Sequence, residues 1–207
     1  MHHGNRHGRS EQARQSVLEA ADDLLVERGF AHLTIEGIAQ RAGVAKQTIY
    51  RWWSSKTDIL FDAFVADAAE EIPVPDTGDV TEDYRVYLRA LAWFLTASDA
   101  GAVFRALTAE AQHDPALAAR LRDEHFARQR VRDRTPLERA LARGHGVAPA
   151  GAEVDDGVEV DDGVEVDDVV DRLVGPVYYR ALISGQAIPD EFIDRLVRAT
   201  LRPASPA

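Results

Sequence analysis

The sequence predicts an all-α protein, with an N-terminal three-helix helix-turn-helix domain and a helical C-terminal domain. Three observations carry that prediction. Apolar residues recur at helical spacing along most of the 207 residues, with few of the alternating stretches that mark strands. Helix starts and stops, such as Thr34, Asp114-Pro115, Gly29 and Pro73, fall between those apolar stripes. Two short stripes near the N-terminus are parted only by a turn containing Gly43, the outline of a helix-turn-helix.

Residues 1–9 carry Arg6 and Arg9 and read as a flexible basic arm. Ala13, Val17, Ala20, Ala21, Leu24 and Leu25 form the stripe of a first helix that stops at Gly29. Thr34 is the N-cap of a second helix to Ala42, and a third runs from about Ala45 to Trp53. Ser54 or Ser55 caps a fourth from Lys56 to Glu71, which Pro73 and Pro75 terminate. The domain boundary expected from this order puts residues 10–55 in the helix-turn-helix domain and 56–202 in the helical body.

Within the body, Asp79 and Glu82 open a helix through Thr96 in the manner of a capping box. Gly101 to Gln112 forms the next, and Asp114-Pro115 starts one through Val131. Thr135-Pro136-Leu137-Glu138 repeats that start signal and predicts a kink or break. The last helices span about 168–184 and 190–201, and residues 203–207 form a tail. Residues 153–168 repeat Glu-Val-Asp-Asp-Gly-Val twice and end in Glu-Val-Asp-Asp. Like charges at that density, interrupted by Gly157 and Gly163, predict a solvated acidic loop. The twelve-position calcium pattern with its final bidentate Glu is missing, so the loop is not read as a metal site.

Composition excludes several classes. There is no cysteine, hence no disulfide or thiolate chemistry, in keeping with a cytoplasmic protein. No apolar run approaches the ~18 residues of a membrane span, and residues 1–10 lack the apolar core of a secretory signal. Nothing supports an enzyme carrying a helical module: there is no phosphate-binding glycine loop, no Gly-x-Ser-x-Gly elbow and no His pair at zinc spacing. No cofactor and no metal are therefore expected. The net charge of −11 argues against a DNA-coating protein, which needs broad positive charge. Residues 1–60 nevertheless hold eight basic and seven acidic residues. Both lysines of the chain, Lys46 and Lys56, lie between Arg41 and Lys56, where there is no acid. An acidic body with a locally basic tip can present one end to phosphates.

The segment from Thr34 to Lys56 carries the chemistry. If Ile35, Ile38, Ala39 and Ala42 face inward, Val44, Ile49 and Trp53 close against them. Helical geometry then sends Lys46, Gln47, Thr48, Tyr50 and Arg51 outward. Gln47 can pair with adenine, Thr48 can meet a base edge or a thymine methyl, and Arg51 can read guanine or hold phosphate. Tyr50, Lys46 and Lys56 suit phosphates, which fix register without reading sequence. Trp52 serves either packing or backbone contact. With Thr34, these eight residues are the candidate DNA-contact set.

The segment resembles the DNA-binding domain of the tetracycline-repressor (TetR) family. The resemblance rests on Thr34-Ile35, Ile38-Ala39, Ala42-Gly43-Val44, Thr48 through Trp53 and Ser55-Lys56, and covers about residues 12–60. Ala45 departs from it, since many relatives have a capping Ser there. The resemblance implies DNA contacts for Gln47, Thr48, Tyr50 and Lys56, the last two on phosphates. The body is similar to one branch of the family through Asp114-Pro115 with Leu117, Arg172 to Arg180 and Phe192 to Val197. It implies a homodimer formed by the last two helices, a small-molecule effector bound in the body and a palindromic double-stranded DNA operator. Candidate interface residues are Leu173, Val177, Leu182, Phe192 and Leu196. Candidate pocket residues are Trp93, Phe94, Phe104, Leu107, His113, Phe126 and Tyr178. No sequence feature names the effector.

Overall fold

In the computed structural model the described residues are 4–67, 72–144, 147–149 and 166–203. The helices are α1 (Gly4–Arg28), α2 (Ile35–Ala42), α3 (Lys46–Tyr50), α4 (Lys56–Asp67), α5 (Val80–Ala97), α6 (Asp99–Glu110), α7 (Pro115–Arg120), α8 (Ala127–Ala142), α9 (Val166–Tyr179) and α10 (Asp190–Thr200). The class is all-α, as the sequence predicts. A 3₁₀ turn, Phe30–His32, follows α1, and wider π turns occupy Leu121–Phe126 and Arg180–Ser184. Helix α1 begins at Gly4, so the backbone of residues 4–9, expected as an arm, continues the helix. Of the acidic stretch 153–168 expected as a loop, Val166–Asp168 instead form the first turn of α9, while 153–165, like residues 204–207, lie outside the described residues.

Two compact units emerge. One joins residues 1–71 to 97–121, and the other joins 72–96 to 122–207. In the first, α1 is the spine. Its Val17, Ala21, Leu24 and Leu25 are buried against α2, α4 and α6. Phe64 of α4 lies 5.6 Å from Phe104 of α6, ring centre to ring centre. Buried aromatic pairs at that separation add to the apolar area they bury.

In the second unit the core is built from α5, α8, α9 and α10. Tyr84, Tyr87, Leu88 and Leu91 face inward on α5, with Val170, Leu173 and Val177 on α9 and Ile193 and Val197 on α10. Arg89 of α5 reaches Asp190 at 3.2 Å and Asp194 at 2.9 Å, which ties α10 to α5. Asp133 of α8 is buried and accepts hydrogen bonds from the Tyr87 hydroxyl and from the Gln129 amide at 3.1 Å. Burial raises its carboxyl above the ordinary value, although those bonds and Arg130 and Arg132 pull the other way.

The break expected at Thr135-Pro136 is absent: α8 runs unbroken across Pro136. The proline removes one N–H from the helix ladder and its ring crowds the preceding turn. In the turn before the proline, the Tyr84 hydroxyl donates to the Asp133 carbonyl at 2.8 Å, a buried bond from α5 to the α8 backbone. The irregularity falls upstream instead, at the π turn Leu121–Phe126.

Two cap expectations also change. Asp79 does receive the Thr81 N–H at 2.8 Å, but Glu82 pairs with Arg85. Buried Asp83 closes the turn, accepting from the Thr77 N–H and hydroxyl, each at 2.8 Å. Ser98 caps α6 by accepting from Gly101 N–H, so that helix begins earlier than Gly101. The described residues also hold one short antiparallel ladder, β1 (Val147–Pro149) with β2 (Leu201–Pro203), Ala148 opposite Arg202. Three residues a side, prolines included, leave no alternation for a sequence pattern to register.

Replacing Tyr84 by Phe should cost about 1–3 kcal/mol, because it removes the donor to a buried carbonyl. An unchanged thermal melting curve would contradict that role.

Candidate nucleic-acid interface

Helix α2 starts where Thr34 Oγ1 accepts the Gly37 N–H at 3.1 Å, and it ends at Gly43. Gly43 has φ 68° and ψ 28°, a left-handed conformation that carries almost no penalty without a Cβ. That turn brings Val44 N–H back to the Ala39 carbonyl at 3.0 Å and launches α3 across α2. Ile38, Ala39, Ile49 and Trp53 are all buried around that crossing. Ala45 caps α3 with no side-chain bond, so α3 starts on backbone bonds alone, Thr48 N–H to Ala45 carbonyl among them.

With Ile49 fully buried and Trp53 4% exposed, the other side of α3 faces outward. Lys46, Gln47, Tyr50 and Arg51 are exposed, Tyr50 by 56%, and Thr48 is half-buried. Trp52 is half-buried, edge-on to Trp53 at 5.5 Å, with the Arg51 guanidinium 5.3 Å from its ring centre. Lys46 hydrogen-bonds Glu36 of α2, which holds that carboxyl below its ordinary range. Arg41 grips Glu27 at 2.5 and 3.0 Å and lies 3.4 Å from Asp23, fastening α2 to α1.

Lys56 is placed differently from its neighbours. Its ammonium donates to the Phe30 and Leu33 carbonyls at 2.8 and 3.1 Å and sits 3.9 Å from the Phe30 ring centre. It thereby satisfies the end of the 3₁₀ turn after α1, a role that sequence spacing alone does not signal.

The turn from α3 to α4 is a reciprocal cap. Ser55 Oγ accepts from Asp58 N–H at 3.1 Å, and Asp58 Oδ2 accepts from Ser55 N–H at 3.1 Å and the Ser54 hydroxyl at 2.6 Å. Burial favours the neutral form of Asp58, but those bonds and Arg120 outweigh it and hold the carboxyl below its ordinary range. One turn on, Asp62 Oδ2 accepts the Trp53 indole N–H at 2.9 Å and Arg14 at 3.0 Å. Neither Asp58 nor Asp62 stood out in the sequence, because their partners lie on α1, on α7 and at the end of α3.

The remaining expected residues scatter. Phe94, Phe104 and Leu107 are buried, Tyr178 is half-buried, and Trp93, His113 and Phe126 are exposed. Leu173 and Val177 are fully buried in their own chain, while Leu182, Phe192 and Leu196 are half-buried. Among the described residues no cluster of three or more His, Cys, Asp or Glu could hold a metal, and no helix is long and apolar enough to cross a membrane.

This geometry defines a helix-turn-helix regulator with a helical body. Residues 17–63 match the family described as bacterial regulatory proteins, tetR family, and residues 74–200 match the tetracyclin repressor-like C-terminal domain. The chain belongs to the TetR family, whose members are DNA-binding transcriptional regulators and not enzymes. It is 35% identical to the HTH-type transcriptional regulator YdeS of Bacillus subtilis strain 168, over 91% of this chain and 88% of that protein. It is 28% identical to the DNA-binding transcriptional repressor TetR of Mycobacteroides abscessus, over 91% of this chain and 92% of that one. The solved TetR family transcription regulator SCO0332 superposes with a TM-score of 0.67 at 33% identity, covering 90% of this chain and 94% of that one.

Substituting Lys56 by Met keeps the stem against Phe30 but removes both carbonyl bonds. The melting temperature should fall by several degrees, corresponding to about 1–2 kcal/mol. An unchanged melting curve would mean that water replaces the ammonium without loss.

Proposed function

We propose that the protein is a homodimeric repressor that reads a palindromic operator through α3 and is released by a small-molecule effector. The observation that carries this reading is the outward face of α3, polar and basic, on a helix whose other face is locked by Ile49 and Trp53. Gln47 and Thr48 read base edges. Lys46, Tyr50 and Arg51 hold phosphates, with Lys46 exchanging Glu36 for the DNA backbone. Thr34 presents the capped start of α2 to a phosphate, and Trp52 lies along the backbone beneath Arg51. Lys56 contributes the ammonium proton not engaged by Phe30 and Leu33. Such a regulator acts in the cytoplasm.

Dimerisation would set two α3 helices about 34–36 Å apart, matching successive major grooves. The exposed apolar surface at the end of α9 favours an interface there. Ile183 is 74% and Tyr179 58% exposed, beside half-buried Leu182, Phe192 and Leu196. Arg180 stacks 3.7 Å from the Phe192 ring centre and donates to the Ala187 carbonyl at 2.6 Å, holding α9 and α10 as one surface. Leu173 and Val177 would support that surface from within. For the effector, Phe94, Phe126 and Tyr178 are the proposed contacts in the body, with Phe104 and Leu107 forming packed core. An effector shifts the repressor only by its differential affinity for the two states.

Selection of bound duplexes from random DNA, followed by affinity measurements against salt, tests the DNA reading. Gln47→Ala or Thr48→Ala should cost about 1–3 kcal/mol on the selected operator and relax base preference. Tyr50→Phe or Lys46→Ala should weaken all sequences alike, and the Lys46 change should lower the salt slope by about 1. Uniform behaviour of both sets would contradict these roles. Ile183→Glu should convert a sedimenting dimer to monomer without unfolding it, and an unchanged sedimentation coefficient would remove that surface from the interface.

A further inference from the structure

We propose that Arg120 is a positioning residue for the recognition helix, and that through Asp62 and Asp58 it couples the end of α7 to α3. This rests on the DNA-binding reading and adds a means of regulation to it. Arg120 closes α7, and directly after it, between Leu121 and Arg122, the chain passes from the first compact unit into the second. Its Nη1 reaches Asp58 Oδ1 at 3.2 Å and its Nη2 reaches Asp62 Oδ1 at 3.3 Å. The guanidinium carbon lies 3.9 Å from the centre of the Phe61 ring.

The two acids that Arg120 grips also orient the residues 53–55 that leave α3. Asp62 holds the Trp53 indole N–H through its other oxygen, and Asp58 holds Ser54 and Ser55. The two carboxylates stand four residues apart on one face of α4, where like charges repel unless a cation bridges them. Of these two acids Arg14 reaches only Asp62, at Oδ2, whereas Arg120 spans the pair. A planar fork can meet two carboxylates at fixed angles, which an ammonium cannot. Displacing α7 therefore leaves Asp58 and Asp62 opposed, loosens the Trp53 anchor and lets α3 shift against α2. The π turn Leu121–Phe126 that comes next makes the chain irregular directly after Arg120.

The test uses the full-length chain and an operator selected from random DNA by the wild-type protein. Hydrogen exchange is measured with and without that duplex, in the wild type and in Arg120→Gln, Arg120→Lys and Asp62→Asn. In the wild type, operator should slow exchange over α7 as well as α3. In Arg120→Gln and Asp62→Asn the slowing over α7 should vanish while that over α3 persists. Operator affinity should fall about tenfold with affinity for a scrambled duplex unchanged. Arg120→Lys, which keeps the charge without the fork, should fall between. Should Arg120→Gln fail to fold, the Lys and Asn variants decide the matter in the same way. Unaltered α7 protection and operator affinity in the folded variants overturn the coupling. A wild-type chain that binds no duplex instead overturns the DNA-binding reading itself.

Discussion

Trp53 has a large ring to bury and one N–H to satisfy, and the manner in which it does both governs the N-terminal unit. Its ring completes the apolar contact between α2 and α3, while its indole N–H is committed to Asp62 on α4. A buried indole with an unmatched N–H would lose about 1–3 kcal/mol of what its burial gains. Satisfying it fixes the angle at which the chain leaves α3. Once Ile49 and Trp53 are inside, the polar face of α3 has nowhere to go but outward. The DNA-facing surface is thus a by-product of packing as much as of its own chemistry.

The same unit reconciles an acidic chain with a basic tip. Arg14, Arg41, Lys46 and Arg120 are each paired with a carboxylate inside the unit. Exposed pairs of this kind contribute little stability but orient side chains and set where positive charge lies. Tyr50 and Arg51 face solvent at the end of α3 rather than its start, with no acidic partner among the described residues.

The second unit solves a different difficulty. Asp133, buried in α8 one turn before Pro136, needs donors for its carboxylate and its carbonyl. Tyr87 supplies the first and Tyr84 the second, from successive turns of α5.

Much of this was legible in the sequence, since helix spacing, Thr34, Gly43, Ser55 and Asp114-Pro115 act locally and report through a few neighbouring residues. The all-α class, the helix-turn-helix and the outward set on α3 came from that periodicity. Local rules also misled: Thr135-Pro136 carries a start signal, yet α8 runs unbroken across it. Asp58, Asp62, Arg120 and the anchoring of Lys56 draw their meaning from partners that only chain folding assembles, and no spacing announces them. What the sequence alone determined is where helices begin and which face of each is apolar, because those depend on bonds within one turn. The tertiary structure decided which charges are spoken for and which helices are tied to one another, because hydrogen bonds between distant elements depend on position in space.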